Sequence, residues 1–279
     1  MNIIPNGFRE FIVNLLDRSD MKKTTTDLLR DDSNLQLFLK GFTHSTAFPT
    51  HPQYNYEVYE QRGDLTINKF IVNYMYKKFP QLDCPSCLKI VARLRINYGS
   101  KANLSKLARN LGFGRFIRAS DLAKEKDKDD SLLEDVFESF FGVVEKILDD
   151  NFNFVGVGYV VCYKILENIF NEIENISLEY HDLYDSKTIL KQMFEDSASS
   201  LINYKIEYKD NRLSTGLYNS QVVMIDKSNY LNILNIGEGL LNIKNESQQM
   251  AAKNAILFLK NGGIEAKIPQ EYISFCDFK

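Results

Sequence analysis

The chain has 279 residues, room for two domains, and its 44% hydrophobic and 25% charged content is ordinary for a globular protein. A formal net charge of −3 excludes a basic field over the whole molecule, so any nucleic-acid binding must come from local patches. The start MNIIPNGFRE lacks the basic-then-apolar order of a signal peptide, and the longest apolar stretch, near Phe154–Tyr163, is too short for a bilayer; a cytoplasmic or otherwise intracellular protein with no membrane partner is expected.

In chain order, residues 6–19 place Phe8, Phe11, Ile12, Leu15 and Leu16 on a helical stripe, and Asn34 to Gly41 reads as a second, short helix. Residues 46–54, with Pro49 and Pro52, read as a loop. A long helix is expected from about Tyr54 to Lys78, stopped by Pro80. Cys84 and Cys87 form a lone C-x-x-C without a second pair at zinc spacing, hence a loop with two free thiols; four cysteines here make no disulfide framework. Helices follow at Leu88–Asn97 and Lys101–Leu111. The charge run Asp121–Asp130 reads as a solvated loop. Ser131 to Leu148 is a strongly apolar helix, with Ser131 as N-cap and Glu134 at capping-box spacing. Residues 149–158 hold Asn151, Asn153, Gly156 and Gly158 and read as a break, and Tyr159–Ile176 as a last helix. No clear strand occurs before residue 200, so residues 1–178 are expected to form an all-α domain. Residues 179–184 read as a linker. From there the pattern is a helix (Ser186–Glu195), three strands (Asn203–Tyr208, Ser220–Ile225, Tyr230–Gly237) and a helix (Ser247–Leu259), a small α+β domain over 185–262 followed by a tail, 263–279.

Two stretches carry the chemistry. In Tyr56–Asp64 (YEVYEQRGD), Glu57, Glu60 and Asp64 stand at i, i+3 and i+7, one stripe of a helix that continues into Ile67 and Ile71. In Leu133–Gly142 (LEDVFESFFG), Asp135 and Glu138 are polar islands among Leu132, Leu133, Val136, Phe137, Phe140 and Phe141. Carboxylates are rarely buried unless paired or metal-bound. Two helices turning acids toward a core therefore suggest a divalent cation between them, and oxygen donors suit Mg2+. The competing reading is a solvated acidic face.

These residues resemble the signatures of the ribonuclease III family. Tyr56–Asp64 is similar to N-E-R-L-E-F-L-G-D, and the segment from Asp135 to Gly142 to the family's D-x-x-E element. Thr43-His44-Ser45 looks like T-H-x-S, Phe79-Pro80 follows the signature helix, and LSKLARNLGFG at 104–114 resembles L-A-x-x-A-x-x-L-G-L-G. Residues 185–262 resemble a double-stranded-RNA-binding domain of α-β-β-β-α order. The departures are Val58, Gln61, Arg62 and Glu134, and the segment DCPSC, where many members carry a Glu.

The resemblance implies a double-stranded-RNA-specific endoribonuclease. It would hydrolyse phosphodiester bonds with two Mg2+ ions about 4 Å apart, Mn2+ being a possible substitute, to give 5′-phosphate and 3′-hydroxyl ends with short 3′ overhangs. Glu60, Asp64, Asp135 and Glu138 would bind the metal, with Glu57 as an accessory acid. The family works as a homodimer, built largely on the signature helix. His44 reads as a backbone-bonding histidine rather than a phosphate contact. Gly63 and Gly142 would let the two acidic helices approach closely, or simply pack. Lys187, Lys191, Gln192, Lys244 and Lys253 are the expected RNA contacts; only Lys244 is kept of the two lysines that usually open the last helix. The alternative is a catalytically weak or inactive member acting as a duplex-RNA-binding or ribonucleoprotein component.

Overall fold

The computed structural model describes residues 3–21, 27–51, 53–126, 130–173, 175–196, 199–270 and 272–273, with no side-chain detail at 125–126. It divides into two compact units, Met1–Ile176 and Ser177–Lys279.

The first unit is helical: α1 (Phe8–Asp17), α2 (Asp32–Gly41), α3 (Glu57–Lys78), α4 (Leu88–Tyr98), α5 (Lys101–Asn110), α6 (Asp121–Lys126), α7 (Asp130–Phe152) and α8 (Val157–Asn171). Among the described residues its β-structure is an isolated parallel bridge, Thr43 to Arg118. The apolar stripe of α7 is the centre, with Phe137, Phe140 and Phe141 fully buried. A chain of rings continues from it: Phe137–Phe113 at 5.5 Å, Phe113–Phe42 at 5.4 Å and Phe42–Phe8 at 5.3 Å between centroids. Each such ring contributes about 1.5–3 kcal/mol by leaving water, and together they pin α1 and the end of α2 against α7.

Helices α3 and α7 cross backbone to backbone. A Cβ at Gly63 would overlap the Glu138 carbonyl, and one at Gly142 would overlap the Tyr59 carbonyl. Only glycine lets two helices touch there. Three residues beyond Gly63, the buried Thr66 hydroxyl donates to Glu145 Oε2 at 2.6 Å and ties the pair again.

Several local expectations need correction. Residues 121–126 of the charge run form α6 instead of a loop; 127–129 lie outside the described residues. Ser131 is no N-cap, because α7 begins at Asp130; its Oγ and Glu134 both receive Lys101 instead. The break is shorter than 149–158, because α7 continues to Phe152. Asn153 (φ 49°) and Gly156 (φ 102°) then turn the chain. Asp149 accepts from the Gly156 and Gly158 amides at 3.0 and 2.8 Å, capping α8 from the preceding helix.

The second unit holds α9 (Tyr180–Leu183), α10 (Ser186–Glu195), an antiparallel sheet of β1 (Tyr204–Arg212), β2 (Tyr218–Asp226) and β3 (Ile233–Leu241) in the order β1-β2-β3, and α11 (Lys244–Asn261). This is the α-β-β-β-α arrangement, with an additional short helix in front. Val222, Val223 and Ile225 of β2 are buried, as are Ala251, Ala252 and Ala255 of α11, which packs on β2 and β3, and Ile189, Leu190 and Met193 of α10, which packs on α11. Buried Ser247 anchors the first turn of α11 by donating to the carbonyls of Tyr218 (2.9 Å) and Gly239 (2.8 Å). The segment read as a linker is part of this unit. Tyr180 and Leu183 are buried, and the Tyr180 ring packs on Tyr184 at 4.8 Å and on Tyr272 at 5.4 Å, so the segment read as a tail supplies one of its neighbours.

Candidate active site

The α3–α7 crossing places the acids. Asp64 follows Gly63, Glu60 precedes it by one turn, and Gly63 lies on the backbone of Glu138 itself. Asp135 is one turn before Glu138 on α7. On the stripe drawn from the sequence, Ile67 and Ile71 are buried, Glu60 and Asp64 are half-buried and Glu57 is exposed. Glu138 is 6% exposed, and among the described residues nothing donates to or ion-pairs with its carboxylate.

Acids of the two helices raise one another's carboxyls. Burial, then the charges of Asp135, Glu57, Glu134 and Asp64, push the Glu60 carboxyl up to about 7. Burial, then Asp64, Glu134, Glu60 and Asp135, push Glu138 up to about 9. A raised acid in a ring of acids is the signature of uncompensated negative charge. Among the described residues, no three His, Cys, Asp or Glu side chains close on one point as a ligand shell. The donor set is nonetheless all carboxylate oxygen, the hard chemistry that Mg2+ or Mn2+ takes, and it contains a buried carboxylate without a partner cation.

Neutral donors hold two of the acids. The buried Tyr56, at the N-cap of α3, donates to Asp135 Oδ2 at 2.5 Å. Burial and that bond hold its phenol far above the usual tyrosine range. Asn68 Nδ2 donates to Asp64 Oδ1 at 2.6 Å, and Arg95 Nη1 donates to Asn68 Oδ1 at 3.2 Å. From the start of α5, Lys101 Nζ reaches Ser131 Oγ at 2.9 Å and Glu134 Oε2 at 3.2 Å, a cation at the edge of the cluster. Burial nevertheless keeps the Glu134 carboxyl raised, against the pull of Lys101. None of these four was singled out for the site from sequence as a partner of the acids. Tyr56 adjoins Glu57, and Asn68 lies at i+4 from Asp64, so spacing could have found both; Lys101 comes from another helix and carries no such signal. His44 accepts from the Thr46 amide through Nδ1 at 3.2 Å and caps the turn Ser45–Ala47, the backbone role expected of it.

In the second unit, Lys187 and Lys244 meet one network. Lys187 Nζ donates to Gln248 Oε1 at 2.7 Å, Gln248 Nε2 donates to Asp210 Oδ2 at 2.8 Å, and Lys244 Nζ pairs with that same oxygen at 3.0 Å. The exposed Lys191 pairs with Glu195 at 3.6 Å. The Gln192 side-chain oxygen accepts from the Tyr180 hydroxyl. Lys253 is exposed, without a partner among the described residues. At 100° per residue it lies half a turn around α11 from Lys244, so the fold does not bring these two together.

The Ribonuclease III domain family model matches residues 57–145, from the first residue of α3 into α7. A putative ribonuclease 3 of Invertebrate iridescent virus 6 is 38% identical over 251 residues, covering 84% of this chain and 83% of that protein. The chain belongs to the ribonuclease III family. It thereby joins the endoribonuclease hydrolases. A putative ribonuclease 3 of Frog virus 3 is 44% identical over 159 residues, 57% of this chain and 42% of that one. The ribonuclease 3 of Listeria welshimeri is 28% identical over 235 residues, 81% of this chain and 92% of its own length. The family match spans both acidic stretches, and Glu60, Asp64, Asp135 and Glu138 flank the Gly63–Gly142 crossing. Among the described residues, no helix is long and apolar enough to cross a membrane.

Proposed function

We propose that this ribonuclease III is a double-stranded-RNA-specific endonuclease using two Mg2+ ions and leaving 5′-phosphate and 3′-hydroxyl ends with short 3′ overhangs. The observation that carries the reading is the glycine crossing, where one helix brings Glu60 and Asp64 beside Asp135 and Glu138 of another.

Those four carboxylates would hold the ions, with Mn2+ an alternative occupant. A bound divalent ion would supply Lewis acidity there, lowering the pKa of water and offsetting charge on the leaving oxygen. The chain's own residues do the rest. Tyr56 and Asn68 orient Asp135 and Asp64 with neutral hydrogen bonds, adding no positive charge to the acids. Glu57, exposed one turn before Glu60, would order water beside the scissile strand. Lys101 offsets part of the negative charge that a phosphate meets on approach.

The second unit would deliver the duplex, through Lys187, Lys191, Gln192, Lys244 and Lys253 acting on phosphates and the minor groove. A homodimer fits the outer face of α3, where Val58 (63% exposed) and Leu65 (67% exposed) flank the exposed Gln61 and Arg62.

The test is cleavage of a long RNA duplex with and without Mg2+, by the parent and by Glu138→Gln. Mg2+-dependent cutting that the variant loses, with duplex binding retained, is the expected result. Cutting by the variant at the parent's rate overturns the assignment.

A further inference from the structure

Among the described residues, the Asp64 carboxylate accepts from one side chain, Asn68, whose Nδ2 also donates to the Asp64 carbonyl at 2.9 Å. The second Asp64 oxygen has no protein partner there. On its other side the amide accepts from Arg95 of α4. The orientation of the amide is thereby fixed. A carboxylate only accepts and a guanidinium only donates, so nitrogen faces Asp64 and oxygen faces Arg95. Had Arg95 reached Asp64 directly, the charge-assisted pair would have neutralised the acid and competed with any cation for its oxygens. The interposed amide passes on orientation without charge.

We propose that Asn68 is a positioning residue for the cleavage centre and Arg95 its brace, together fixing one oxygen of Asp64 so that the other is presented to a divalent cation. This rests on the nuclease reading above. The test uses the full chain and two readouts, Mg2+ binding by calorimetry without RNA and duplex cleavage. Removal of such an outer hydrogen bond costs on the order of tenfold in metal affinity or activity. Asn68→Leu should weaken Mg2+ binding and kcat by about that factor, with the melting temperature in EDTA unchanged. Arg95→Gln should move both in the same direction by less, and carries the test if Asn68→Leu fails to fold. Parental Mg2+ affinity in both variants overturns the proposal. Asp64→Asn, measured alongside, separates the two ideas. If it binds Mg2+ and cleaves like the parent, the nuclease reading falls as well; if it loses both while Asn68→Leu loses neither, only the relay falls.

A different observation carries a second site. Cys84 and Cys87 bracket the turn Pro85–Cys87 that leads into α4. Both sulfurs lie 3.8 Å from the Gln81 carbonyl, so the two thiols converge on one acceptor. Cys84 is half-exposed, with its sulfur 3.1 Å from Ser86 Oγ, whereas Cys87 is buried. The bonds from Ser86 and Cys87 pull the Cys84 thiol down and burial pushes Cys87 up, so the outer thiol ionises first. We infer that the pair is a dithiol–disulfide couple, oxidised by a small-molecule disulfide such as glutathione disulfide. The Cys84 thiolate attacks one sulfur of that molecule, releasing a thiolate and forming a mixed disulfide. Cys87 gives its proton to solvent, attacks the Cys84 sulfur and releases the second thiol. The chain gives up two electrons and two protons, and the oxidant becomes two thiols.

Full-length protein equilibrated in stepped glutathione buffers, acid-quenched, alkylated and peptide-mapped decides this. The expected product is a Cys84–Cys87 bridge, reversed by dithiothreitol, with fully buried Cys162 staying reduced as the internal control; Cys84→Ser should give no bridge at this turn. A Cys84 that stops at the glutathione adduct, or remains fully alkylatable, overturns the inference.

Discussion

The Tyr56 hydroxyl donates to Asp135 Oδ2 at 2.5 Å, joining the first residue of the signature stretch to an acid on the opposite helix. Tyr56→Phe removes one oxygen and little volume. It should lower cleavage about tenfold and raise the Mg2+ concentration for half-maximal rate, since Asp135 loses a restraint. Rates over a Mg2+ titration check this. Unchanged half-saturation would show that the phenol acts only in packing.

Glu138 sets a pH trend for the metal-free protein. Its carboxyl stands at about 9 in the folded chain against an ordinary 4.5, and Glu60 stands at about 7. Between those limits the folded state binds more protons than the unfolded one, so stability falls as pH rises. The melting temperature in EDTA should therefore drop from pH 4.5 toward 9. Glu138→Gln removes the larger part of the trend. At pH 8 it should melt higher than the parent, by about 2–4 °C for each kcal/mol of relieved repulsion, while losing cleavage. Thermal scans across pH test both signs.

Gly63→Ala and Gly142→Ala place a methyl where a backbone carbonyl already lies. Each should destabilise by at least about 1–3 kcal/mol, the usual cost of overpacking, and separate the acids as the helices move apart. Urea titration with parallel cleavage assays should show both losses together. Retained activity in a destabilised variant would argue that the acids do not depend on the crossing.

Leu65→Asp puts a charge on the exposed face of α3 without touching the core. If that face joins two copies, light scattering should report a monomer in place of a dimer, at unchanged helix content.

Lys244→Ala should weaken duplex binding and lower the salt slope by about one. Lys253→Ala, from the opposite side of α11, should do so by less. Binding isotherms at several salt concentrations distinguish them.

The acids, the long helices and the α-β-β-β-α order were legible because each rests on local spacing. Buried Ile67 and Ile71 beside Glu60 and Asp64 repeat the stripe written in the sequence. Helix α6 was not legible, because among its described side chains, residues 121–124, only Ala123 is buried, too little for an apolar period. The Tyr180 helix was missed because its packing partner, Tyr272, lies far along the chain. Lys101 escaped for the same reason: its acid, Glu134, belongs to another helix. Tyr56 and Asn68 were visible as residues, but hydrogen-bond direction needs coordinates.

The bare contact of α3 with α7 also bears on which substitutions leave the crossing intact. Because main chain meets main chain at Gly63 and Gly142, the gauge of the gap between the acids is set by peptide groups for as long as both positions stay glycine. Side chains on the far side of α3, such as the exposed Gln61 and Arg62, can change without touching that contact.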